Sequence, residues 1–321
     1  MTDLTHPIFN DEDKAREHLE ALRWPNGPVC PHCGCTGKHV AALKVTGKQT
    51  KKPKKGKHRP PRAGLYYCNG CKEQFTVRVG TVLEHSHIPI NKWLAGFFLM
   101  CSSKKGISAH QIHRTLSISY KSAWFMAHRI REAMRAGGLA PPMGGGGGIV
   151  EADETFIGDN KLYKNFKTVR GYQHKHAVLT LVERGGEARS FHVARADMPS
   201  IIPIIRANIS REAKVATEEA GYYRNLGEIG FDHETVRHKA EEWVRGDVHT
   251  NTAEGYFSVF KRGMKGVYQH CSEKHLHRYL AEFDFRYSNR VKLGVNDTER
   301  TERAIRGAEG KRLTYRRTNG A

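Results

Sequence analysis

The 321-residue sequence lacks any stretch that could enter or cross a membrane. No apolar run reaches the ~18 residues that a spanning helix needs, and no charged start precedes an apolar signal segment. Acidic residues are also scarce, since 33 Asp and Glu face 53 Lys and Arg, which leaves a net charge of +20. These absences predict a soluble, unexported protein whose partner is a polyanion, either nucleic acid or an anionic membrane surface.

Cysteine is unevenly distributed, because five of the seven cysteines lie between Cys30 and Cys71. CPHC begins at Cys30 and CNGC begins at Cys68, and each C-x-x-C pair can offer two thiolates from one tight knuckle. Without an export signal a metal is favoured over disulfides, and paired knuckles are not typical of a redox dithiol. We therefore predict a zinc ribbon whose ligands are Cys30, Cys33, Cys68 and Cys71. His32 or His39 could replace one ligand, and Cys35 is a fifth thiol without an assigned role.

The segment between the two knuckles, residues 44–62, contains seven Lys, two Arg and no acid. Its proline, glycine and charge content cannot form a core, so we expect a mobile hairpin tip or loop. Counterion release makes such a loop a sequence-independent grip on DNA or RNA. The candidate phosphate contacts are Lys51, Lys52, Lys54 and Lys55. The alternative is that this charge serves solubility alone.

Helical periodicity covers part of the first half of the chain. Residues 1–24 predict a short amphipathic helix, and NKWLAGFFLMCSS predicts a buried one. Ser108 is placed to cap AHQIHRTL, and a break at residues 117–119 leads into YKSAWFMAHRIREAMR. This order favours a helix-turn-helix that reads a DNA major groove, although any three-helix bundle has the same periodicity. The candidate DNA contacts are Lys121, Arg129 and Arg131.

A run of glycine and proline separates two halves of the chain. It predicts a flexible linker over residues 137–148. The expected domains are an N-terminal helix and zinc ribbon (1–85), a helical DNA-binding region (86–136), a catalytic domain (149–295) and a basic tail (296–321).

The second half predicts a mixed α/β domain. In the strand-like GIVEADETFIG, Glu151 and Asp153 share one face while Ala152 and Glu154 share the other. Carboxylates are rarely placed on a buried strand without a partner or a metal. HAVLTLVE and EARSFHVA predict a hairpin, MPSIIPIIRANI a helix, and AKVAT a strand that ends at Glu218 and Glu219.

DVHTNTAEGYFSVFK, residues 247–261, predicts a further amphipathic helix. Glu254 and Lys261 are two turns apart, so a carboxylate and an ammonium lie along one edge of that helix. Such a pair could complete a metal-binding carboxylate cluster and hold a phosphate. The alternative is a capping box in which Asn251 caps the helix, Glu254 reaches back to its start and Lys261 is merely solvated.

The ordered motifs resemble a known family. The zinc ribbon, the ADETF strand, TEE at a later strand end, VRGDVHTNTAEGYFSVFKRG and HLHRYLAEFDFRYSNR are similar to bacterial insertion-sequence transposases of the family numbered fifteen-ninety-five. The resemblance covers nearly the whole chain from the first C-x-x-C to Arg290. It implies a ribonuclease H-like DDE domain that binds two Mg²⁺ or Mn²⁺ ions and joins transposon ends to target DNA.

By position in these motifs, Asp153, Glu218 and Glu254 correspond to the three metal-binding acids, and Lys261 to the accompanying base. The family has Asp after the threonine at the second position, whereas here Glu218 follows Thr217. An impaired or domesticated DNA-binding protein is therefore an alternative, and a nuclease that only hydrolyses is another, because the same cations serve hydrolysis and joining. The resemblance also implies DNA partners, namely terminal inverted repeats and target DNA. It further implies a dimer or larger synaptic complex and a nucleoid-associated cytoplasmic location. Lys261 and Arg262 are candidate DNA contacts.

Overall fold

The computed structural model describes residues 3–43, 63–137, 140–158, 175–237 and 244–314. Its helices are α1 (Pro7–Asn10), α2 (Glu12–Arg23), α3 (Ile90–Ser102), α4 (Ala109–Leu116), α5 (Tyr120–Met134), α6 (Met198–Asn208), α7 (Asn251–Gly263), α8 (Glu273–Ser288) and α9 (Asp297–Arg306). Its strands are β1 (Val40–Ala42), β2 (Tyr66–Cys68), β3 (Gln74–Phe75), β4 (Ile149–Ile157), β5 (His176–Glu183), β6 (Ala188–Val193), β7 (Lys214–Glu218) and β8 (Asp232–Val236). Among these helices, none combines the length and the apolar character that crossing a membrane requires.

The chain divides into two compact units. Of the described residues, unit 1 contains those within 1–102, 109–133 and 297–321, and unit 2 contains those within 103–108 and 134–296. Unit 1 includes an antiparallel sheet in the order β1-β2-β3, and unit 2 includes a five-stranded sheet in the order β6-β5-β4-β7-β8. The basic insert at 44–62 lies outside the described residues.

Unit 1 has a core around α3, which is apolar on nearly every side. Trp93, Phe97 and Met100 of this helix are almost fully buried. The periodicity does not predict α9, because its sequence DTERTERAIR has only two strongly buried apolar residues, Ala304 and Ile305. A polar contact compensates, since the guanidinium of Arg300 donates to the Cys101 carbonyl at the end of α3, at 2.9 Å.

Helix α5 is buried more deeply than its sequence pattern predicts. Its C-terminal half buries Ile130 together with polar residues, among them Arg129 and Arg131, which are 7% and 3% exposed. The Arg129 guanidinium donates to the backbone carbonyls of Glu84 and Leu313, at 2.9 and 3.1 Å. Only at its N-terminal end, where Lys121 is exposed, does α5 present a cation to solvent.

The sheet of unit 2 is mixed. Strand β5 pairs antiparallel with β4 and β6, whereas β7 pairs parallel with both β4 and β8. One face packs Val150, Ala152 and Val215 with Ile201 and Ile205 of α6. The other face packs Val178 and Val182 with the apolar stripes of α7 and α8. The edge strand β8 has the polar sequence DHETV, so alternation of apolar residues does not reveal it.

The start of the glycine run after Met143 is hydrogen-bonded to neighbouring elements of unit 2. The Met143 amide donates to the Asn208 carbonyl at 2.7 Å, and the Gly144 amide donates to the Glu183 carboxylate at 3.1 Å. Gly144 has φ +75°, and a Cβ there would lie 2.5 Å from the Ala213 Cβ. Position 144 therefore requires glycine for a close backbone approach.

Candidate active site

Strand β4 presents acidic residues on both of its faces. Glu151 and Asp153 point toward the layer of α7 and α8, while Glu154 points toward the α6 side, where it accepts a 2.8 Å hydrogen bond from the Tyr223 hydroxyl. This alternation follows from the two-residue period of a strand. Asp153 is 8% exposed. A carboxylate so buried needs compensation from donors or a cation.

Glu218 lies beside Asp153 on the neighbouring strand. The parallel register pairs Glu151 with Ala216 and Ala152 with Thr217, so Asp153 and Glu218 occupy the next pair of positions. Residues opposite each other in a sheet point to the same face. The pairing of β4 with β7 therefore brings two acids that are far apart in sequence to one sheet face.

Glu254 is the third acid, on the first turn of α7. Its side chain is exposed, as is that of Lys261 two turns later, and the Lys261 ammonium lies 5.8 Å from the Phe257 ring centroid. The opposite side of α7 buries Ala253, Tyr256, Phe257 and Phe260 against the sheet. This amphipathic arrangement holds Glu254 near the acid pair and leaves Lys261 open to solvent.

The pKa of Asp153 responds to burial and to nearby carboxylates. Burial, together with the negative charges of Glu218, Glu154 and Glu254, raises the pKa of Asp153 to about 8. The Glu154 amide, which donates to Asp153 at 2.7 Å, opposes this effect. A divalent cation would favour the charged form of such a group.

The three acids are not packed as ligands of a single ion. Among the described residues, some sets of His, Cys, Asp and Glu side chains bring their ligand atoms within 4.8 Å of one another. Asp153, Glu218 and Glu254 are not such a set. Carboxylates that bridge two cations about 3.5–4 Å apart span a wider site than ligands of one cation do. Carboxylate oxygens are hard donors of the kind that Mg²⁺ and Mn²⁺ prefer.

Glu151 fixes the start of α7, which the sequence pattern does not predict. This fully buried carboxylate accepts the backbone N–H groups of Thr252 and Ala253 at 2.8 and 2.9 Å, and the Thr252 hydroxyl at 2.8 Å. Arg184 donates to it at 2.6 Å. The helix N-terminus is thus satisfied by an acid from β4 two residues before Asp153.

The alternative capping-box assignment does not describe this helix start. The N-cap residue is Thr250, which makes no side-chain capping hydrogen bond, and α7 begins at Asn251 itself. His249, just before the helix, lies with its Nδ1 3.2 Å from the Glu151 carboxylate. Glu151, which is distant in sequence, caps the helix instead, because the first amides of α7 point toward β4.

Unit 1 contains a separate cluster of four thiols. Cys30, Cys33, Cys68 and Cys71 bring their sulfur atoms within 4.8 Å of one another, and all four are free of disulfides. The Sγ atoms of Cys30 and Cys71 are 3.6 Å apart, and those of Cys33 and Cys68 are 3.5 Å apart. The backbone N–H of Cys71 lowers the pKa of Cys68 to about 6. Four thiols at this spacing fit the tetrahedral shell of a structural zinc ion.

Cys35, the fifth thiol, lies next to this cluster but outside the set of four. Its hydrogen bond with Cys33 raises the pKa of Cys35 to about 11. A Cβ at Gly70 would lie 2.8 Å from the Cys35 sulfur, so glycine leaves room for it. Cys35 therefore lies beside the four thiols as a fifth thiol in contact with Cys33.

The basic residues predicted to contact DNA fall into an exposed group and a buried group. Lys121, Lys261 and Arg262 are exposed, whereas Arg129 and Arg131 are buried. Arg262 also donates to the Ser258 carbonyl and hydroxyl at 3.0 and 2.9 Å. Lys51, Lys52, Lys54 and Lys55 fall outside the described residues. A phosphate contact by Arg129 would have to break its bonds to two carbonyls.

Comparisons with known proteins match both units. Residues 146–288 match the ISXO2-like transposase domain, and residues 10–74 match the transposase zinc-ribbon domain. A relative from Halobacterium salinarum, described as an uncharacterized protein in transposable element ISH50, is 28% identical over 292 residues. That alignment covers 87% of this chain and 91% of the relative.

The mixed five-stranded sheet with its flanking helices lies within the transposase match, and the thiol cluster lies within the zinc-ribbon match. The molecule is therefore of the transposase class, a class of DNA-binding and DNA-cleaving enzymes. More particularly, it belongs to the insertion-sequence transposase family numbered fifteen-ninety-five, IS1595.

Proposed function

We propose that this chain cleaves the ends of an insertion sequence and joins them to target DNA by metal-dependent phosphoryl transfer. The observation that carries the proposal is the convergence of Asp153 and Glu218 on one sheet face beside Glu254, with the charges of Glu218 and Glu254 raising the pKa of Asp153. The strand order β6-β5-β4-β7-β8 supports a ribonuclease H-like domain. Terminal inverted repeats and target DNA would be the substrates, bound by a dimer or larger complex.

Each site residue has a chemical role in this proposal. Asp153, Glu218 and Glu254 would hold two divalent cations through carboxylate oxygens. When bound, Mg²⁺ or Mn²⁺ supplies Lewis-acid stabilisation of the attacking and leaving oxygens. Lys261 would hold a DNA phosphate as a point charge. Glu151 keeps Glu254 in place by anchoring the start of α7 to β4.

The thiol cluster would hold a structural zinc ion through Cys30, Cys33, Cys68 and Cys71. The DNA backbone would be contacted by the basic insert at 44–62, by Lys121 at the exposed start of α5, and by Lys261 and Arg262 on α7. The net charge of +20 supports a large phosphate-contacting surface. The domain boundaries belong to the same proposal, as does a helix-turn-helix formed by α4 and α5, in which Lys121 and not the buried Arg129 and Arg131 would contact DNA.

The test is strand cleavage and joining by the purified chain on DNA that carries its own terminal inverted repeats, with Mg²⁺ or Mn²⁺. We expect Asp153→Asn to lower the rate at least about 100-fold, because loss of a metal-binding oxygen removes transition-state stabilisation of that order. DNA binding, measured by gel shift, should persist. Analysis of the products separates joining from simple hydrolysis.

Glu154→Gln is the matched control, since it removes an acid from the same strand but from the opposite sheet face. We expect it to retain cleavage within a few-fold. Equal activity of wild type and Asp153→Asn would overturn the catalytic assignment.

A second candidate function is DNA binding without chemistry, which Glu218 favours because the resembling family has Asp at this position. The additional methylene moves the carboxylate by about a bond length, and active sites are sensitive to such displacements. Glu218→Asp distinguishes the candidates in the same assay. A gain in cleavage indicates an impaired enzyme, whereas inactivity of both proteins supports a DNA-binding role.

A further inference from the structure

Unit 2 contains a second cluster of metal-ligating side chains, away from the acids of the candidate active site. His176, His192 and Glu273 each offer one ligand atom, and these atoms all lie within 4.8 Å of one another. The Glu273 Oε1 lies 4.0 Å from the His176 Nδ1 and 3.9 Å from the His192 Nε2. We call these three residues the His-His-Glu cluster.

The sheet and α8 create this cluster from three separate elements. His176 begins β5 and His192 lies on β6, where the register pairs it with Val178. The two histidines are therefore diagonal neighbours on the sheet face that packs against α8, with ring centroids 5.4 Å apart. Glu273 is the first residue of α8 and reaches toward both rings.

The cluster is distinct from the candidate active site. Strand β5 pairs Thr180 with Asp153 and His176 with Ile157. Four strand positions separate the two places, which corresponds to about 13 Å. The cations proposed for Asp153, Glu218 and Glu254 do not account for this group.

His176 is the residue that points to a ligand. Its side chain is buried, with 8% of the residue exposed, and among the described residues its Nδ1 finds no hydrogen-bond partner. Buried polar nitrogens are normally satisfied, because an unpaired one costs about 1–3 kcal/mol. The unpaired nitrogen lies on the side of Glu273 and His192, where a cation bound between the three side chains would satisfy it.

The spacing suits a transition-metal ion. Ligand bonds of about 2.1 Å place two ligand atoms of a tetrahedral ion about 3.4 Å apart, and the Glu273 carboxylate, at 4.0 and 3.9 Å from the two imidazole nitrogens, needs to move by only about 0.5 Å to reach that spacing. Glu273 is half exposed, so its carboxylate can rotate to complete the geometry. Two imidazoles and one carboxylate form a three-ligand set that leaves a position open for water or another ligand.

We propose that His176, His192 and Glu273 form a binding site for a divalent transition-metal ion such as Zn²⁺, separate from the thiol cluster and from the catalytic acids. Imidazole nitrogen selects Zn²⁺ and its transition-metal neighbours over Mg²⁺, which prefers oxygen. The bound ion links the β5–β6 hairpin to the start of α8, the helix that packs beside α7.

The experiment measures zinc bound by the full chain after gel filtration in excess Mg²⁺, which occupies oxygen-only sites. We expect two equivalents of Zn²⁺ for wild type, one at the thiols and one at the His-His-Glu cluster. His192→Gln and Glu273→Gln should each retain one equivalent. Their second binding event should be at least about 100-fold weaker, because loss of even an outer partner of a ligand costs 10–100-fold.

Two variants guard against misassignment. His270→Gln makes the same change at an exposed histidine outside the cluster and should keep two equivalents. Asp153→Asn should also keep two, and loss of the second equivalent there would assign it to the catalytic acids and overturn the proposal.

Cobalt provides a second readout once the thiols are filled with zinc. Co²⁺ added to wild type should give visible ligand-field bands without thiolate charge-transfer bands, and these should be absent in His192→Gln. One zinc equivalent in wild type, or two in folded His192→Gln, would contradict the site. Circular dichroism of each variant separates loss of the ligand from loss of the fold.

Discussion

Glu151 and Asp153 occupy one face of the same strand but meet opposite environments. Glu151 is surrounded by donors, namely the α7 amides, the Thr252 hydroxyl and Arg184. Asp153 instead faces other acids, and burial raises its pKa to about 8. The first residue is a structural anchor and the second a candidate metal ligand, although strand alternation alone treats them as equivalent.

Removing the charge of Glu151 tests the anchor. Glu151→Gln leaves Arg184 and the α7 amides without a buried carboxylate, so we expect a loss of about 3 kcal/mol in the free energy of unfolding. Urea denaturation checks this value. Glu228→Gln, at an exposed position, is the control and should change stability by less than about 0.5 kcal/mol. A loss no greater than that of the control would show that α7 does not depend on Glu151.

At the scale of elements, periodicity finds those that bury an apolar stripe. The predicted hairpin appears as β5 and β6, the segment with Pro203 forms α6, and the helix carrying Glu254 forms α7. The pattern misses β8 and α9, whose sequences DHETV and DTERTERAIR are mostly polar. Strand β8 is stabilised by pairing and α9 by packing with elements that are distant in sequence, and local periodicity does not reveal such contacts.

The glycine run offers a test with a neighbouring control. Gly144→Ala forces a side chain into a left-handed backbone position and against the Ala213 side chain. We expect it to lower the free energy of unfolding by about 1–3 kcal/mol. At Gly145 a Cβ would meet open space, so Gly145→Ala should change the free energy of unfolding by less than about 0.5 kcal/mol. Equal effects in thermal denaturation would contradict the close packing of this turn.

The basic insert makes a prediction about salt dependence. Replacing Lys51, Lys52, Lys54 and Lys55 with Gln removes up to four phosphate contacts. The slope of log affinity against log salt for double-stranded DNA should then fall by up to about 3.6. Fluorescence anisotropy at several salt concentrations measures it. An unchanged slope would mean that these lysines serve solubility.

For the whole molecule, buried acids couple stability to pH. Burial raises the pKa of Asp153 to about 8 and those of Glu154 and Asp284 to about 7. The folded state therefore binds more protons than the unfolded state between about pH 4 and 8, so these groups make stability fall as pH rises through that range. One pKa unit corresponds to about 1.4 kcal/mol.

Asp153→Asn isolates one part of this dependence. Without added divalent cation, the variant should become more stable than wild type as pH rises from 4 to 8, by at least about 1.4 kcal/mol at pH 8. Mg²⁺ should stabilise wild type more than the variant, because a cation favours the charged carboxylate. Chemical denaturation across pH checks both, and a pH-independent difference would contradict the raised pKa of Asp153.

The sequence by itself determined the two cysteine knuckles, the basic character of the chain, the side of β4 on which Asp153 lies and the family to which the molecule belongs. The knuckles and the side of β4 depend on residue type and short spacing, the basic character on composition, and the family on the order of short motifs along the chain. Only the tertiary structure decided the strand register that brings Glu218 beside Asp153, that Glu151 caps α7, that Arg129 faces inward, and that two histidines meet Glu273. Each of these requires strand register or helix packing between residues far apart along the chain, and such contacts are selected by the whole fold.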